Sequence, residues 1–340
     1  MPQHFKVVVV YNDSDTLVKG EARDMLAERG VLICAKAVAE ALETAGHQVA
    51  LMPICRSLEE ELAPYPPREW VVFNLVEGLE GRLFEEARCA WALEAMGYRF
   101  TGSSGDALAL STHKARAKSH LECAGVATPA WRLAQPEDEV DVGQPRDNGS
   151  LQFPLLVKPV AEDGSLGIDP QAVVYTAEAL RDRVAYVTEK YGQLALVEQF
   201  IAGREFNVAL WGDPVQVLPL AEIDYGAYKH PWQRIVSFDA KWQEESFDFH
   251  HTPVRCPARA EGGLEGRITA VARDAWEVIG CRGYARVDVR VDGEGIPYVL
   301  EVNCNPDLSP NAGFFNSVRA AGYDYTAMTE RILQMAAQPG

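Results

Sequence analysis

The apolar run Val7-Val8-Val9-Val10 predicts a strand over residues 5–10. The run does not alternate with polar residues, so both faces of this strand should be covered, as in a parallel sheet. Residues 27–45 place Val31, Cys34, Ala35, Val38 and Leu42 at helical spacing, and Gly46 stops the helix. Strands over 48–52 and 70–75 and a helix over 83–96 continue the rhythm. Alternating β and α segments predict a doubly wound parallel sheet with helices on both faces.

A second unit follows. A helix over 111–125 ends before Thr128-Pro129, and residues 135–150 are polar with prolines and glycines, a loop. A strand over 153–160, a helix over 177–191 and a strand over 194–199 complete it. Strands over 204–211 and 215–223 then alternate more clearly, which predicts antiparallel pairing with one face half exposed. Residues 224–251 are long, aromatic and charged with no clean period. A loop of that length in a compact domain is usually functional, here a lid. A helix over 261–279 ended by Gly280, a hairpin over 284–305 and a helix over 325–335 close the chain. The expected domains are 1–105, 106–195 and 196–340.

Composition narrows the function. The formal charge is −17 over 340 residues. That argues against nucleic acid and anionic membrane as partners, because both need a basic surface. Any phosphate must therefore be met by a few placed cations inside a cleft. No apolar run approaches the ~20 residues that span a bilayer, and Val7–Val10 is too short for a signal-peptide core. The seven cysteines are scattered, with no CxxC pair. Reduced thiols in a cytoplasmic protein are the expectation. GxSxG, HExxH, GxGxxG and Walker A patterns are absent from the sequence, and the adjacent His250-His251 reads as part of the lid.

Three segments carry candidate chemistry. Along residues 284–291 Arg286, Asp288 and Arg290 share one strand face and Val287, Val289 and Val291 the other. Asp292-Gly293-Glu294-Gly295 turns the chain, and Glu301 and Asn303 share a face on the return strand, with Leu300 and Val302 on the other. Folding brings Asp288, Glu301 and Asn303 together beside Arg286. These hard oxygen donors suit Mg²⁺; a solvated hairpin face with an Arg–Asp pair is the plainer alternative. In the second segment, Lys158 ends a buried strand and Gly164-Ser165-Leu166-Gly167 follows. Such a loop can expose backbone N–H groups to phosphate, or be a simple turn. In the third, a strand runs through Glu198, Gln199, Phe200 and Ile201 to Glu205. It could offer backbone groups to a planar base and carboxylates to an amino group or ribose, or carry surface charge only.

Taken together these segments resemble the ATP-grasp superfamily, most closely its D-alanine–D-alanine ligase branch, over nearly the whole chain. Phe73-Asn74-Leu75 with Glu77-Gly78 looks like the strand end of the family's first domain, and residues 98–103 (YRFTGS) like its exit. Lys114 matches the first nucleotide lysine, with His113 where an aspartate is usual, and Lys158 the second. Residues 198–205 look like the adenine hinge and ribose carboxylate, and residues 238–242 like the lid's lysine segment around Lys241. Arg286, Asp288, Glu301 and Asn303 match the catalytic arginine and the magnesium ligands. Ala27-Glu28-Arg29 resembles the Ala-Glu-Arg whose glutamate holds the amino group of the first amino acid.

The resemblance implies an ATP-grasp fold, with the N-terminal sheet domain followed by two α+β domains clasping ATP. It implies an ADP-forming carboxylate–amine ligase that works through an acyl phosphate, with ATP, two Mg²⁺ ions (replaceable by Mn²⁺), a carboxylate or amino-acid donor, an amine acceptor and a homodimer. Glu28, Arg286 and Lys241 would be catalytic; Glu28, Glu77, Asp307 and Ser309 would face substrate. A kinase or non-catalytic nucleotide binder on the same fold is the competing class. One departure concerns the acceptor. Asp307 stands where the family has a glycine whose N–H meets the oxyanion, and no hydroxyl falls plainly where a serine binds the acceptor's carboxylate. An aspartate there favours an acceptor other than D-alanine, with an ammonium or hydroxyl donor at that place. Alternatively, Asp307 points away and caps the segment 311–319. A genuine cell-wall D-alanine–D-alanine ligase is the alternative function.

Overall fold

A computed structural model describes residues 4–12, 21, 25–54, 57–77, 84–143 and 150–338, with the backbone alone over 25–29. The valines of β1 (Lys6–Asn12) divide by parity. Val7 and Val9 enter one core cluster and Val8 and Val10 another, so the strand is covered on both faces. It sits inside a parallel sheet of order β2-β1-β3-β4, with β2 (Gln48–Ile54), β3 (Trp70–Leu75) and β4 (Arg99–Phe100). Helices α1 (Met25–Thr44), α2 (Leu58–Leu62) and α3 (Glu85–Ala95) connect these strands. The expected helix over 83–96 starts at Glu85; residues 78–83, including Gly78, lie outside the described residues.

The single helix expected over 111–125 is two, α4 (Gly105–Thr112) and α5 (Lys114–Cys123). His113 leaves helical geometry and its ring accepts from the Arg116 N–H, so it caps α5. The break makes Lys114 the first residue of a new helix, with its N–H on the Val160 carbonyl.

The central sheet is antiparallel in the order β5-β8-β6-β7: β5 (Trp131–Ala134), β6 (Leu155–Pro159), β7 (Val173–Val174) and β8 (Ala195–Gln199). Helix α6 (Ala177–Tyr191) covers it, with Leu180, Val184 and Val187 against Leu155, Val157 and Val197. β8 belongs to this sheet, so the boundary expected at 195 moves past Gln199; cutting at 195 would divide strands that pair along their length. Of the loop expected over 135–150, residues 144–149 lie outside the described residues.

The third sheet runs β12-β11-β9-β13-β14, with β10 on β9. Its strands are β9 (Arg204–Trp211), β10 (Gln216–Val217), β11 (Ala221–Ile223), β12 (Val254–Arg255), β13 (Tyr284–Val291) and β14 (Pro297–Asn303). The strand expected over 215–223 is split at Leu218-Pro219-Leu220, where proline cannot donate to a ladder. The expected lid loop is more ordered than its pattern implied: it holds α7 (Phe238–Trp242) and α8 (Phe247–His251), whose N-caps Ser237 and Ser246 accept from Ala240 and Phe249. Helices α9 (Leu264–Ile279), α10 (Gly313–Ala320) and α11 (Tyr325–Ala337) complete the fold. Residues of the first and third sheets share both large core clusters, whereas the central sheet has its own. No described helix is long and apolar enough to cross a membrane.

Candidate active site

The hairpin β13–β14 sets Asp288 opposite Glu301 and Arg286 opposite Asn303, as strand alternation requires. One detail departs from strict alternation. The register slips after Asp288, so Val289 faces Val299 and Leu300 is the extra residue. Val299 thereby joins Val302 in the core, and Leu300 is left half-buried. Asp288 accepts from Arg286 Nε at 2.7 Å and Nη2 at 2.8 Å, and from Asn207 Nδ2 at 2.7 Å. Asn207 reaches it because β9 pairs with β13 in the register Asp288–Asn207. Asn303 Oδ1 accepts from the Asn305 N–H at 2.9 Å.

Glu301 is the centre of a cationic cluster. Burial alone would raise its pKa, but Lys114, Lys158, Lys241 and Arg286 around it hold it down to about 2. Lys114 lies 3.6 Å from its carboxylate and 3.4 Å from Asp163, and donates to the Glu162 carbonyl. Lys241 reaches the same place from the lid; burial and then the nearby Arg286 lower its pKa. Among the described residues the Glu301 carboxylate accepts no hydrogen bond, and its ion pair is the one with Lys114 at 3.6 Å. With Asp288 and Asn303 it makes two carboxylates and a carboxamide, a donor set that fits Mg²⁺ and leaves coordination to substrate oxygens and water.

A second cluster lies deeper. Glu198 is 1% exposed and bridges Lys118 at 2.6 Å on one oxygen and Lys158 at 2.8 Å on the other. Both carboxylate oxygens thus face lysine ammoniums, although Oε1 makes no directed hydrogen bond, and the group is buried rather than surface charge. The Gln199 side chain bonds the Gln152 backbone. The N–H groups of Gln199 and Phe200 go to the Ala130 and Pro154 carbonyls. The Ile201 carbonyl accepts from Arg290, whose guanidinium stacks on Phe200 and pairs with Glu205 at 2.8 Å. All bonds to Glu205 from Arg290 and from Tyr225 fall on Oε2. Arg290 thus ties residues 200–205 to the β13–β14 hairpin.

The lid is seated on the glycine loop. Gly164, Ser165 and Gly167 have φ of 64°, 61° and 70°. At Gly167 a Cβ would fall 2.8 Å from the Pro159 ring, so glycine is required. The Ser165 hydroxyl donates to the Val236 carbonyl, the Phe238 N–H to Ile168, and Trp242 Nε1 to the Gly164 carbonyl, each at 2.8 Å. The Trp242 ring also lies against Gly30 of α1. His250 and His251 end α8, where the His251 ring stacks on Phe247.

Toward the first sheet, Glu77 is exposed with its N–H on Asn12 Oδ1. Asp307 is exposed, and its Oδ1 accepts from the Ser309 N–H at 2.8 Å and hydroxyl at 2.5 Å. It does not cap the segment 311–319: α10 begins at Gly313 with Ala312 as its cap. The Ser309 hydroxyl is spent on Asp307. Burial, then the charges of Asp307 and Glu77, push the Cys34 thiol up. Glu28 lies in α1, but its side chain is outside the described residues.

Lys118, Asn207, Asp163 and Arg290 were not singled out as site residues by the sequence reading. Lys118 had a signal, since it lies four residues after Lys114 and so on the same helix face. Asn207 had none, because its meeting with Asp288 depends on the register of strands distant in sequence.

A family profile described as "D-ala D-ala ligase C-terminus" matches residues 121–334. The chain is 32% identical over 309 residues to the uncharacterized protein y4sG of Sinorhizobium fredii, covering 89% of this chain and 87% of that protein. It is 31% identical over 320 residues to a D-alanine–D-alanine ligase of Sphingopyxis alaskensis, covering 91% and 94%. In fold it is similar to the crystal structure of the Bacillus anthracis D-alanine–D-alanine ligase complexed with ATP, with a TM-score of 0.74, 20% identity, and 98% and 97% of the two chains covered. The sheet order, the buried lysine cluster and the acidic hairpin therefore stand in an ATP-grasp fold, and the chain belongs to the D-alanine–D-alanine ligase family.

Proposed function

We propose that the protein is an ATP-dependent, ADP-forming carboxylate–amine ligase whose acceptor differs from D-alanine. The observation that carries the reaction class is the gathering of Lys114, Lys158, Lys241 and Arg286 around one carboxylate in a chain of net charge −17. Cations held together out of water repel one another, and an arriving polyphosphate removes that cost. The donor's carboxylate oxygen attacks the γ-phosphorus of ATP, and the bond to the ADP oxygen breaks. The acceptor nitrogen then attacks the acyl carbon, gives up a proton, and the bond to the phosphate oxygen breaks. Lys114, Lys158 and Lys241 hold the triphosphate, and the lid keeps water from the acyl phosphate. Arg286 would leave Asp288 in part to meet the tetrahedral oxyanion. Asp288, Glu301 and Asn303 would hold Mg²⁺, two ions on this reading, which when bound neutralise phosphate charge. Glu28 and Glu77 would face the donor. The same reading carries a homodimer and a location in the cytoplasm.

The acceptor reading rests on Asp307. An exposed carboxylate there opposes an incoming α-carboxylate and favours an amine carrying a further donor. The test is a panel of acceptors at matched concentration, assayed by ADP release. An amine or basic amino acid should give the highest kcat/KM, and Asp307→Gly should shift preference toward D-alanine by about tenfold. If D-alanine wins in the unaltered protein, the acceptor reading fails and the enzyme is a cell-wall ligase.

A further inference from the structure

We propose that Lys118 is a positioning residue for the nucleotide phosphates, acting through Glu198 on Lys158. The inference rests on the ligase reading above, in which Lys158 meets phosphate. Lys158 and Glu198 lie diagonally on one face of the β6–β8 ladder, where Leu156 pairs with Glu198 and Lys158 with Leu196. Lys118 comes from α5 and closes the other side of the carboxylate. Lys118, Lys158 and Glu198 are 1%, 4% and 1% exposed, so solvent screens none of these charges. Two cations on one anion leave a net positive charge, which Lys158 can turn toward phosphate. With one cation alone the pair would be neutral, and Glu198 would compete with the phosphates for Lys158.

Lys118 is itself fixed by a chain of bonds from α5 to β14, which pack in one core. Its ammonium donates to the Thr128 hydroxyl at 2.6 Å, which donates to the Val299 carbonyl at 2.8 Å. The Val299 N–H returns to the Ala127 carbonyl at 2.8 Å. Val299 sits at the register slip that sets Glu301 against Asp288. Lys118 therefore refers the phosphate-side lysine to the same hairpin that carries the metal donors. It needs no contact with the nucleotide to do so, since both its bonds are to protein.

The experiment measures equilibrium binding of Mg-ATP and of adenosine to the full chain and to Lys118→Met, Glu198→Gln and the double variant. Lys118→Met should weaken Mg-ATP by about tenfold or more while adenosine, which lacks phosphate, changes by less than about threefold. The double variant restores the net charge beside Lys158 and should bind Mg-ATP within about threefold of the unaltered protein. That comparison holds even if Lys118→Met alone does not fold. Unchanged Mg-ATP binding in Lys118→Met would overturn the proposal. So would equal loss of adenosine, or a double variant as weak as the single or tenfold weaker than the unaltered protein. An unaltered protein that binds no Mg-ATP would overturn the ligase reading itself, a result distinct from any of these.

Discussion

Glu301 shows how a single residue is set for its work by neighbours far away in sequence. Its strand gives it a face, the opposite strand gives it Asp288, and Lys114, Lys158, Lys241 and Arg286 keep it ionised. It contributes little to packing, because its face of the hairpin is the polar one. Glu301→Ala should therefore lower kcat by about 100-fold or more, a loss typical of removing a group that meets transition-state charge. The thermal midpoint should fall as well, because Lys114, Lys158, Lys241 and Arg286 lose the carboxylate that offsets their repulsion. Steady-state ADP release and a melting curve check both halves, and near-normal turnover would end its assignment to the metal. Asp288 differs in kind: it is already met by Arg286 and Asn207, so its loss would also free a buried guanidinium.

Among the elements, the lid is where sequence pattern and structure part most. Helices α7 and α8 are five residues each, little more than one turn, so no apolar period could be read from them. Their serine caps were the available signal. The bulge at Leu300 was hidden for a related reason: alternation predicts parity, and an extra residue shows only when the partner strand is known. By contrast, β1, β3, β6 and the hairpin were legible because burial on one or both faces leaves its mark on every residue. The polar faces of β13 and β14 and the place of Lys158 at the end of β6 were therefore legible, while Lys114 was marked only by the family resemblance and the bonding of Glu198 between two lysines was not foreseen. The lid's hold on the glycine loop comes from a few bonds, to Val236, Phe238 and Trp242. It should open and close on the μs–ms scale of such segments. Limited proteolysis should cut within 224–251, and Mg-ATP should slow that cleavage severalfold; equal cleavage with and without nucleotide would contradict the lid role of Lys241.

For the whole molecule, the central claim is that a net-acidic chain concentrates its cations where a triphosphate and a carboxylate react. The first and third sheets share core clusters, which fixes the α1 face and Asp307 relative to the hairpin, while the central sheet carries its own core. Lys158 stands on the central sheet, while Lys114 and Lys118 stand on α5, whose Ala117 and Leu121 pack into the core of the other two sheets. Activation of the donor as an acyl phosphate transfers one of its carboxylate oxygens to phosphate, whereas a binder or a simple ATPase transfers none. The decisive measurement is therefore mass analysis of inorganic phosphate released when donor acid labelled with ¹⁸O in its carboxyl group is turned over with Mg-ATP and an amine. The account predicts one ¹⁸O in each phosphate formed, and only when both acid and amine are present. Phosphate carrying no label, with all ¹⁸O kept in the amide or the recovered acid, would contradict it.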